Sequence, residues 1–312
     1  MVISDTHFGP GTSTLSSRKM VDYLIWELWR YGEGCDEIVL LGDILDLWRT
    51  RPEKAIRDAG YFLQRLSELG VRISYVIGNH DHHLMIMNQE SDIMERAARG
   101  ETFSVYLPNM SWYQTIHSVG LEMHYPVYTK IRRNRRFVFT HGHHLSGVSS
   151  FPLQVVEKLR CLSGESPCPA DLERMMAYAY ESIYRSSYIG EMAELEDRLW
   201  KMSSVFDRVK SGILKTLQFT PVERHYDAIM NFIAEQKLGP VDCFVYGDTH
   251  RAGIYRRDGG PLAVNSGCLT GEARRDLIPN PEEIPDTYVV LSDLKATIRQ
   301  IGRPDPVCVQ EV

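Results

Sequence analysis

The sequence predicts an α/β protein with a layered core and an all-helical insertion. Three observations lead to this prediction: short apolar segments that each end in a polar or glycine-rich turn, helical stretches between them, and a long middle region with helical periodicity alone. Continuous apolar segments of this kind are typical of strands that are covered on both faces. Strands that alternate with helices indicate a sheet packed against helical layers.

The predicted strands share one design, in which a β-branched or aromatic segment leads directly into a turn that carries Asp, Asn or His. Four of them are EIVLLGDILD (37–46), RISYVIGNHDHH (72–83), RFVFTHGHHLSG (136–147) and DCFVYGDTHR (242–251). The segment VIS before Asp5 has the pattern of the end of a further buried strand. From about 242 to 301, short segments such as AGIYRR, PLAVNS, TYVVLS and KATIRQIG predict a second sheet made mostly of hairpins.

Helical patterns fall between these strands and fill the middle of the chain. Residues 18–33 place apolar side chains around most of a helix, and residues 52–70 begin with a proline and end with a glycine, as helices tend to. In the middle region one apolar stripe recurs at steps of three and four residues; it consists of Leu195, Leu199, Met202, Phe206, Val209 and Ile213. We therefore expect a core formed by 1–149 and 237–312, with a helical insertion at 150–236.

The composition narrows the possible functions. A chain of 312 residues with a net charge of −6 is long enough for a large core, and its overall field does not favour nucleic acid. Its six cysteines are scattered without a CxxC pair, which favours reduced thiols over a zinc ribbon or a redox dithiol. The sequence shows no signal peptide and no apolar stretch of transmembrane length. We expect a cytoplasmic protein, with peripheral membrane association as the alternative.

Most histidines lie directly after predicted strands. Eight of the eleven occupy four short stretches: His7; His80, His82 and His83; His141, His143 and His144; and His250. The acidic residues at the same positions are Asp5, Asp43, Asp46, Asp81 and Asp248. One histidine after a strand is usually an ordinary loop or core residue. Buried carboxylates gathered at one sheet edge repel each other unless a cation compensates, so the full pattern predicts a metal site.

A basic segment interrupts the apolar pattern between two predicted strands. KIRRNRR (130–136) contains five basic residues in seven. The simpler interpretation is a solvated hairpin turn, and we favour it because the turn would lie at the strand start, away from the metal site. The alternative is a contact with an anion such as phosphate, nucleic acid or a membrane surface.

Five short motifs resemble, in the same order, those of the calcineurin-like metallophosphoesterases. They are DTH (5–7), GDILD (42–46), GNHD (78–81), HGH (141–143) and GDTH (247–250). Singly, such motifs mean little, but together they are specific, and they cover roughly 1–147 and 240–270. The resemblance implies a four-layer α/β/β/α sandwich, with the helical insertion added to it.

The resemblance also implies a ligand set for two divalent ions. One ion would be held by Asp5, His7 and His250, and the other by Asn79, His141 and Asp248, with Asp43 as the bridge between them. Two ions about 3.5–4 Å apart can bind a phosphoryl group between them and lower the pKa of a shared water. The hydroxide formed in this way would attack the phosphorus atom in line.

Three further residues receive roles from the resemblance. His80 would protonate the leaving oxygen or stabilise the transition state, and Asp46 would orient His80 by accepting its second N–H. His143 is a candidate substrate-binding residue. The sequence departs from the family at one ligand, because the last motif usually reads G-H-x-H where this chain has Asp248.

The presence of Asp248 bears on the choice of metal. An oxygen-richer site favours Mn²⁺, with Fe²⁺ or Mg²⁺ as alternatives, over Zn²⁺. Asp248 either binds the second ion directly, which we favour, or falls short and binds it through water. The second outcome would weaken that ion.

The predicted insertion enters directly after HGHH and leaves just before GDTH, so it would rise beside the metal site as a lid. Such a lid could enclose an apolar substrate tail or bury a dimer face. The UDP-2,3-diacylglucosamine hydrolases are similar in inserting helices between these motifs, and GDILDLW resembles their GD-x-x-E-x-W segment. The match is partial, because they have Arg at the position of His80 and keep the last-motif His.

The sequence therefore predicts a binuclear metal-dependent phosphohydrolase that cleaves a phosphoester or pyrophosphate bond in a small, or lipid-bearing, molecule. A nuclease or phosphodiesterase acting on short nucleic acid is the first alternative, and the acidic net charge counts against it. A weakly catalytic metal-binding scaffold is the second alternative. The His80 and Asp46 pair counts against a scaffold, since a scaffold does not need them.

Overall fold

Two β-sheets and three α-helices make up the residues that the computed structural model describes, which are 1–84, 121–143, 145, 222–270 and 284–312. Elements are numbered here in chain order within these residues. The helices are α1 (Arg18–Tyr31), α2 (Pro52–Ser67) and α3 (Val222–Glu235). A short 3₁₀ helix, Thr14–Ser16, precedes α1. The predicted α/β class is confirmed.

The first sheet has seven strands. They are β1 (Val2–Ile3), β2 (Glu37–Leu41), β3 (Arg72–Val76), β4 (Glu122–His124), β10 (Thr287–Leu291), β11 (Lys295–Gln300) and β12 (Cys308–Glu311). Their order is β12-β11-β10-β1-β2-β3-β4. The strands β1 to β4 are parallel, whereas β10 lies antiparallel to β1. The carboxyl ends of β1, β2 and β3 therefore meet at one edge of the sheet.

The second sheet has five strands. They are β5 (Val127–Arg132), β6 (Arg135–Thr140), β7 (Cys243–Tyr246), β8 (Gly253–Arg256) and β9 (Leu262–Asn265). Their order is β5-β6-β7-β9-β8. Parallel pairing of β6, β7 and β9 brings their carboxyl ends together, and antiparallel β5 and β8 close the two edges.

Side chains of β2 alternate between two hydrophobic cores. Ile38 and Leu40 join the core that α1 and α2 form with the outer face of the first sheet. Val39 and Leu41 join the core between the two sheets. A buried side chain of this size contributes roughly 1.5–3 kcal/mol. A register slip of one residue would reverse both faces, so this alternation holds the strand ends in place.

Side chains of β6 in the second sheet also alternate between two hydrophobic cores. Phe137 and Phe139 of β6 face the core between the sheets. Val138 faces outward, where it packs with Phe244 of β7 and Ile229 of α3. Helices thus cover the outer face of each sheet, and the layers follow the α/β/β/α order that the resemblance implied.

The carboxyl-terminal strands depart from the sequence prediction. The tail was expected to form a second sheet made mostly of hairpins, but it is divided between the two sheets. Strands β7, β8 and β9 belong to the second sheet, whereas β10, β11 and β12 extend the first. Val289 of β10 pairs with Val2 of β1, so a strand from the end of the chain completes the sheet begun at its start. Local hairpin patterns do not specify which sheet a strand joins.

Helix α3 lies within the range predicted for the insertion, 150–236, yet it packs as the outer layer of the second sheet. An insertion would therefore end before Val222. Its remaining part, including the predicted stripe from Leu195 to Ile213, lies outside the described residues, so the helical cap stays a prediction. Among the described residues, none of the helices combines the length and apolar character needed to cross a membrane.

The basic segment 130–136 is the hairpin that joins β5 to β6. Arg132 pairs with Arg135 across its turn. Its charges have partners within the chain: Lys130 forms an ion pair with Asp36, and Arg132 forms one with Asp293. The favoured interpretation as a solvated hairpin turn is confirmed.

Candidate metal centre

The polar turns after five strands converge where the carboxyl ends of the two sheets face each other. Turns after β1, β2 and β3 come from the first sheet, and those after β6 and β7 come from the second. In chain order the predicted ligands on these turns are Asp5, His7, Asp43, Asn79, His141, Asp248 and His250. Short distances between their side chains show that the structure brings all seven together.

One group contains the Asp and the His of the first DTH tripeptide and the His of the second. His7 Nε2 and His250 Nε2 lie 3.3 Å apart. Asp5 Oδ1 lies 3.2 Å from His250 Nε2 and 3.9 Å from His7 Nε2. Each residue can offer one ligand atom, and these atoms lie within 4.8 Å of one another. Such spacing suits one bound cation.

A second group surrounds the ring of His141. Its Nε2 atom lies 3.1 Å from Asn79 Oδ1, 3.3 Å from Asp43 Oδ2 and 3.7 Å from Asp248 Oδ1. Its Nδ1 atom lies 2.9 Å from the carbonyl oxygen of Leu41. A carbonyl only accepts, so Nδ1 carries a proton and Nε2 is available as a ligand. A nitrogen lone pair that faces three oxygen acceptors fits a cation between them.

Asp43 contacts residues of both predicted ligand sets. Its Oδ2 atom lies 3.7 Å from His7 Nε2 and 3.3 Å from His141 Nε2. Asp5, Asp43 and His141 together form another group whose ligand atoms lie within 4.8 Å of one another. The position of Asp43 is therefore compatible with the bridging role that the resemblance implied.

The predicted acid, His80, is held on several sides. Its Nδ1 atom lies 3.0 Å from Asp46 Oδ1, the contact expected for an orienting carboxylate. The indole of Trp48 stacks on its ring at 4.1 Å, and the ring of His7 meets it edge-on at 4.8 Å. His80 also forms a potential metal group with His7 and Asp43. The geometry thus allows His80 to act as a ligand as well as a proton donor.

Asp46 has a second contact that sequence reasoning missed. Its Oδ2 atom lies 3.3 Å from His7 Nδ1, while its Oδ1 atom faces His80. One carboxylate therefore contacts two imidazole rings, and the Nδ1 side of His7 faces Asp46 while its Nε2 atom lies in the metal group. Burial opposes ionisation of Asp46, but the His80 and His7 rings lower its pKa.

The backbone is strained at most of the predicted ligands. Positive φ angles occur at five of them, namely Asp5 (50°), His7 (46°), Asp43 (52°), Asp248 (63°) and His250 (60°). The left-handed region costs a residue with a side chain roughly 1 kcal/mol or more. Asp and His enter it more readily than bulky residues do. Strain that gathers at residues of one cluster supports a functional role for that cluster.

Two glycines allow the turns to approach each other closely. A Cβ atom at Gly247 would lie 2.5 Å from Asp5 Oδ2, and a Cβ atom at Gly78 would overlap the carboxylate of Asp43. Only glycine leaves this space to the carboxylates. Asp5 Oδ1 is buried and accepts no hydrogen bond. A buried carboxylate oxygen without a donor fits a site that holds a cation.

Charges within the cluster shift the pKa values of its members. Burial opposes ionisation of Asp43, but the His141 and His80 imidazoles lower its pKa. Asp43 in turn affects His141: burial of the His141 ring lowers its pKa, but the Asp43 carboxylate raises it more, so the pKa of His141 lies well above its usual value. Burial, together with the carboxylates of Asp43 and Asp5, raises the pKa of Asp248 to about 6. The cluster therefore holds more carboxylate charge than its own donors balance.

Asp81 connects two of the turns, a role that the sequence analysis did not assign. Its Oδ1 atom accepts a hydrogen bond from Gly78 N at 2.6 Å, and its Oδ2 atom accepts one from Ile44 N at 2.9 Å. The hydroxyl of Tyr75 also donates to Oδ2. Burial, and then the nearby Asp43, raise the pKa of Asp81. The signal was available in the sequence, since Asp81 is the last residue of GNHD.

His143 is buried beside the cluster. Its ring centroid lies 5.6 Å from that of His141 and 6.3 Å from that of Tyr125. It therefore lies next to one predicted ligand, and its proposed substrate contact stays a prediction.

Comparison with known proteins identifies the family of the chain. The profile of the family described as Calcineurin-like phosphoesterase matches residues 1–252. The chain belongs to this family of hydrolases, and its His and Asp groups could bind metal ions. No curated protein matches the chain.

Several solved structures are similar to the chain at low identity. Yfce, a phosphoesterase from E. coli, is 14% identical with a TM-score of 0.41, over 99% of this chain and 97% of that chain. A dimetal phosphatase from Danio rerio is 14% identical with a TM-score of 0.44, over 98% and 96%. A protein of unknown function from Aquifex aeolicus is 14% identical with a TM-score of 0.28, over 58% and 71%. The family assignment rests on the profile match.

Proposed function

We propose that the chain is a binuclear metal-dependent phosphohydrolase that cleaves a phosphoester or pyrophosphate bond. The observation that carries this proposal is the pair of overlapping ligand groups. Asp5, His7 and His250 form one group, and Asp5, Asp43 and His141 form another. Asp43 lies close to His7 of the first group as well as to His141 of the second, an arrangement that suits two neighbouring ions better than one.

The donor set also supports a proposal for the metal. Asp5, Asp43, Asp248 and Asn79 would supply oxygen, and the histidines would supply nitrogen. This mixture favours Mn²⁺, with Fe²⁺, Mg²⁺ or Zn²⁺ as alternatives. When bound, two such ions would neutralise phosphoryl charge and lower the pKa of an attacking water.

The residues of the chain would then manage the proton. His80 Nε2 would donate to the leaving oxygen, because its Nδ1 atom is held by Asp46 at 3.0 Å. Burial opposes protonation of His80, but Asp43 and Asp46 raise its pKa. The stacked Trp48 ring would keep the imidazole in this orientation. A positioned general acid typically contributes about 10²–10⁴-fold to the rate.

The surface charge supports a small substrate. In the basic hairpin, Lys130 and Arg132 form ion pairs with Asp36 and Asp293, so much of its charge is balanced within the chain. We therefore rank a small phosphorylated or pyrophosphate-linked molecule above nucleic acid. A lipid-bearing substrate, and a relation to the UDP-2,3-diacylglucosamine hydrolases, rest on the sequence resemblance alone. A cap that covers the substrate rests on the helical pattern of the middle region, and a cytoplasmic location rests on the scattered cysteines.

A panel of substrates tests this function. The protein, with Mn²⁺ added, would be assayed against a chromogenic phosphomonoester, a phosphodiester, nucleotide sugars, phospholipids and a short single-stranded oligonucleotide. We expect metal-dependent hydrolysis of a phosphoester or pyrophosphate, and Asp43→Asn should abolish it. Cleavage of the oligonucleotide alone would favour a nuclease. Absence of turnover from a protein that binds two ions would favour a scaffold.

A further inference from the structure

The last residue of β9, Asn265, has a buried side-chain amide and lies outside the five motifs. Asn265 lies at the carboxyl end of β9, where it pairs with Tyr246 of β7, and its side chain is completely buried. Its Nδ2 atom donates to Thr249 Oγ1 at 2.7 Å and to the carbonyl of Gly247 at 3.2 Å. Its Oδ1 atom accepts from Gly267 N at 2.9 Å.

The orientation of this amide follows from its neighbours. The carbonyl of Gly247 can only accept, and the N–H of Gly267 can only donate. Nδ2 must therefore face the second DTH tripeptide, Asp248-Thr249-His250, and Oδ1 must face the β9 turn. Every polar atom of the Asn265 side chain thus has a use in tying these two turns together.

The first DTH tripeptide is held differently, through its backbone. Asp5 N donates to Gly42 O at 3.0 Å, and His7 N donates to Asp43 O at 2.9 Å. Within the part of the chain that the structure describes, the second tripeptide has fewer such bonds to neighbouring strands. Asp248 N donates to a side chain, Asp5 Oδ2, at 3.2 Å.

We propose that Asn265 is a positioning residue that holds the second DTH tripeptide and so places Asp248 and His250 for metal binding. The inference rests on the proposed metal centre. Asp248 and His250 have φ angles of 63° and 60°, which are unfavourable for residues with side chains. A turn in this conformation relaxes when its anchor is removed. Loss of the Asn265 amide should therefore move both ligands away from the site.

Two substitutions remove this anchor from opposite sides. Asn265→Ala deletes the donor, and Thr249→Val deletes the acceptor with little change in volume. Ser266→Ala is the matched control, because Ser266 is a buried neighbour whose hydroxyl contacts Ser4 and the carbonyl of Tyr246 instead. Each protein would be titrated with Mn²⁺ alone by equilibrium dialysis, and its thermal midpoint would be measured without metal.

Asp248 and His250 belong to different ligand sets, so we expect Asn265→Ala to raise the Kd of both Mn²⁺ ions by about 10–100-fold, the usual effect of losing an outer partner of a metal ligand. Thr249→Val should act in the same direction but less strongly, since the contact with Gly247 remains. The double variant should bind no worse than Asn265→Ala. Ser266→Ala should bind Mn²⁺ like the wild type.

Unchanged Mn²⁺ binding in Asn265→Ala would overturn the inference, as would an equal loss in Ser266→Ala. Should Asn265→Ala fail to fold, Thr249→Val decides by the same criterion. Failure of the proposed function looks different, because the wild type itself would then bind fewer than two ions, or bind two ions without turnover. In that case the ratio of variant to wild-type Kd for the ion that binds still judges the role of Asn265.

Discussion

The two DTH tripeptides share their letters and the backbone conformation of their Asp and His residues, but the fold holds them in different ways. The first lies inside the protein, where the side chains of Asp5 and His7 are 0% and 4% exposed. The second lies at the rim, where the side chains of Asp248 and His250 are 17% and 13% exposed. Backbone hydrogen bonds to the β2 turn anchor the first tripeptide, whereas side chains anchor the second.

The Asp residues of the two tripeptides also differ in the direction in which the protein shifts their pKa values. Burial opposes ionisation of Asp5, but the His250 and His141 imidazoles lower its pKa. Burial and the nearby carboxylates raise the pKa of Asp248 to about 6. A carboxylate that its own neighbours stabilise is ready to bind a cation, whereas Asp248 depends on the cation to balance its charge. We infer that the ion bound by Asp5 is held more tightly than the ion bound by Asp248.

The largest loss of metal binding and activity is expected from substitution of Asp43, which contacts residues of both ligand sets. Asp43→Ala should release both ions and lower turnover by more than about 10³-fold, because several kcal/mol of metal stabilisation are lost. Elemental analysis and a phosphoesterase assay would measure this. Asp58→Ala serves as the control, since Asp58 pairs with Lys54 on the surface of α2. Two ions bound per chain in Asp43→Ala would refute the bridging role.

The next effect separates chemistry from metal binding. His80→Ala should keep both ions and lose about 10²–10⁴-fold in rate, because a general acid is missing. The loss should be smaller for substrates with good leaving groups, which need less protonation. Rates for a series of aryl phosphates, together with the metal content, would test this. Loss of an ion would instead assign His80 to the metal group that it forms with His7 and Asp43.

Matched substitutions compare the two tripeptides directly. Asp5→Asn and Asp248→Asn each remove one charge and keep the shape. Asp5→Asn should weaken its ion by more than about 100-fold, because a fully buried negative charge is lost and charge interactions are stronger in the interior. Asp248→Asn should cost about 10–100-fold, as expected for a ligand at the rim. Mn²⁺ titration of both variants would measure the order, and the reverse order would contradict the unequal anchoring.

The smallest effect is a change of metal preference. Asp248→His should keep two ions and shift the preference from Mn²⁺ toward Zn²⁺, because imidazole suits zinc better than a carboxylate does. Competition between the two metals, followed by elemental analysis, would show the shift. An unchanged preference together with unchanged affinity would mean that Asp248 is not a direct ligand.

The sequence predicted the residues of the site better than their mutual contacts. Each ligand turn follows its own strand, so Asp5, Asp43 and His141 could be recognised locally, and parallel strands bring such turns to one edge. The contact between Asp46 and His7 joins turns after different strands, and no local pattern reveals it. Asn265 was missed for the same reason, because its role depends on the pairing of β9 with β7.

The fold shows the same division. Most strand and helix positions among the described residues followed from local patterns, although β12 was not predicted. The sheet that β10 joins is decided by its distant pairing with β1. Helix α1 was expected to be apolar around most of its surface. In the structure Trp29 is 74% exposed, and Tyr23 and Trp26 are also exposed. An aromatic side chain at a helical spacing is therefore weak evidence of burial on its own.

The central claim is that the two DTH tripeptides supply ligands to two adjacent ions. The most direct test is electron paramagnetic resonance of the wild-type protein titrated with Mn²⁺. At two Mn²⁺ ions per chain we predict the spectrum of a spin-coupled pair, and Asp248→Ala should convert it into that of a single, uncoupled ion. A wild-type protein that saturates at one Mn²⁺ ion per chain, with an uncoupled six-line spectrum, would contradict the account.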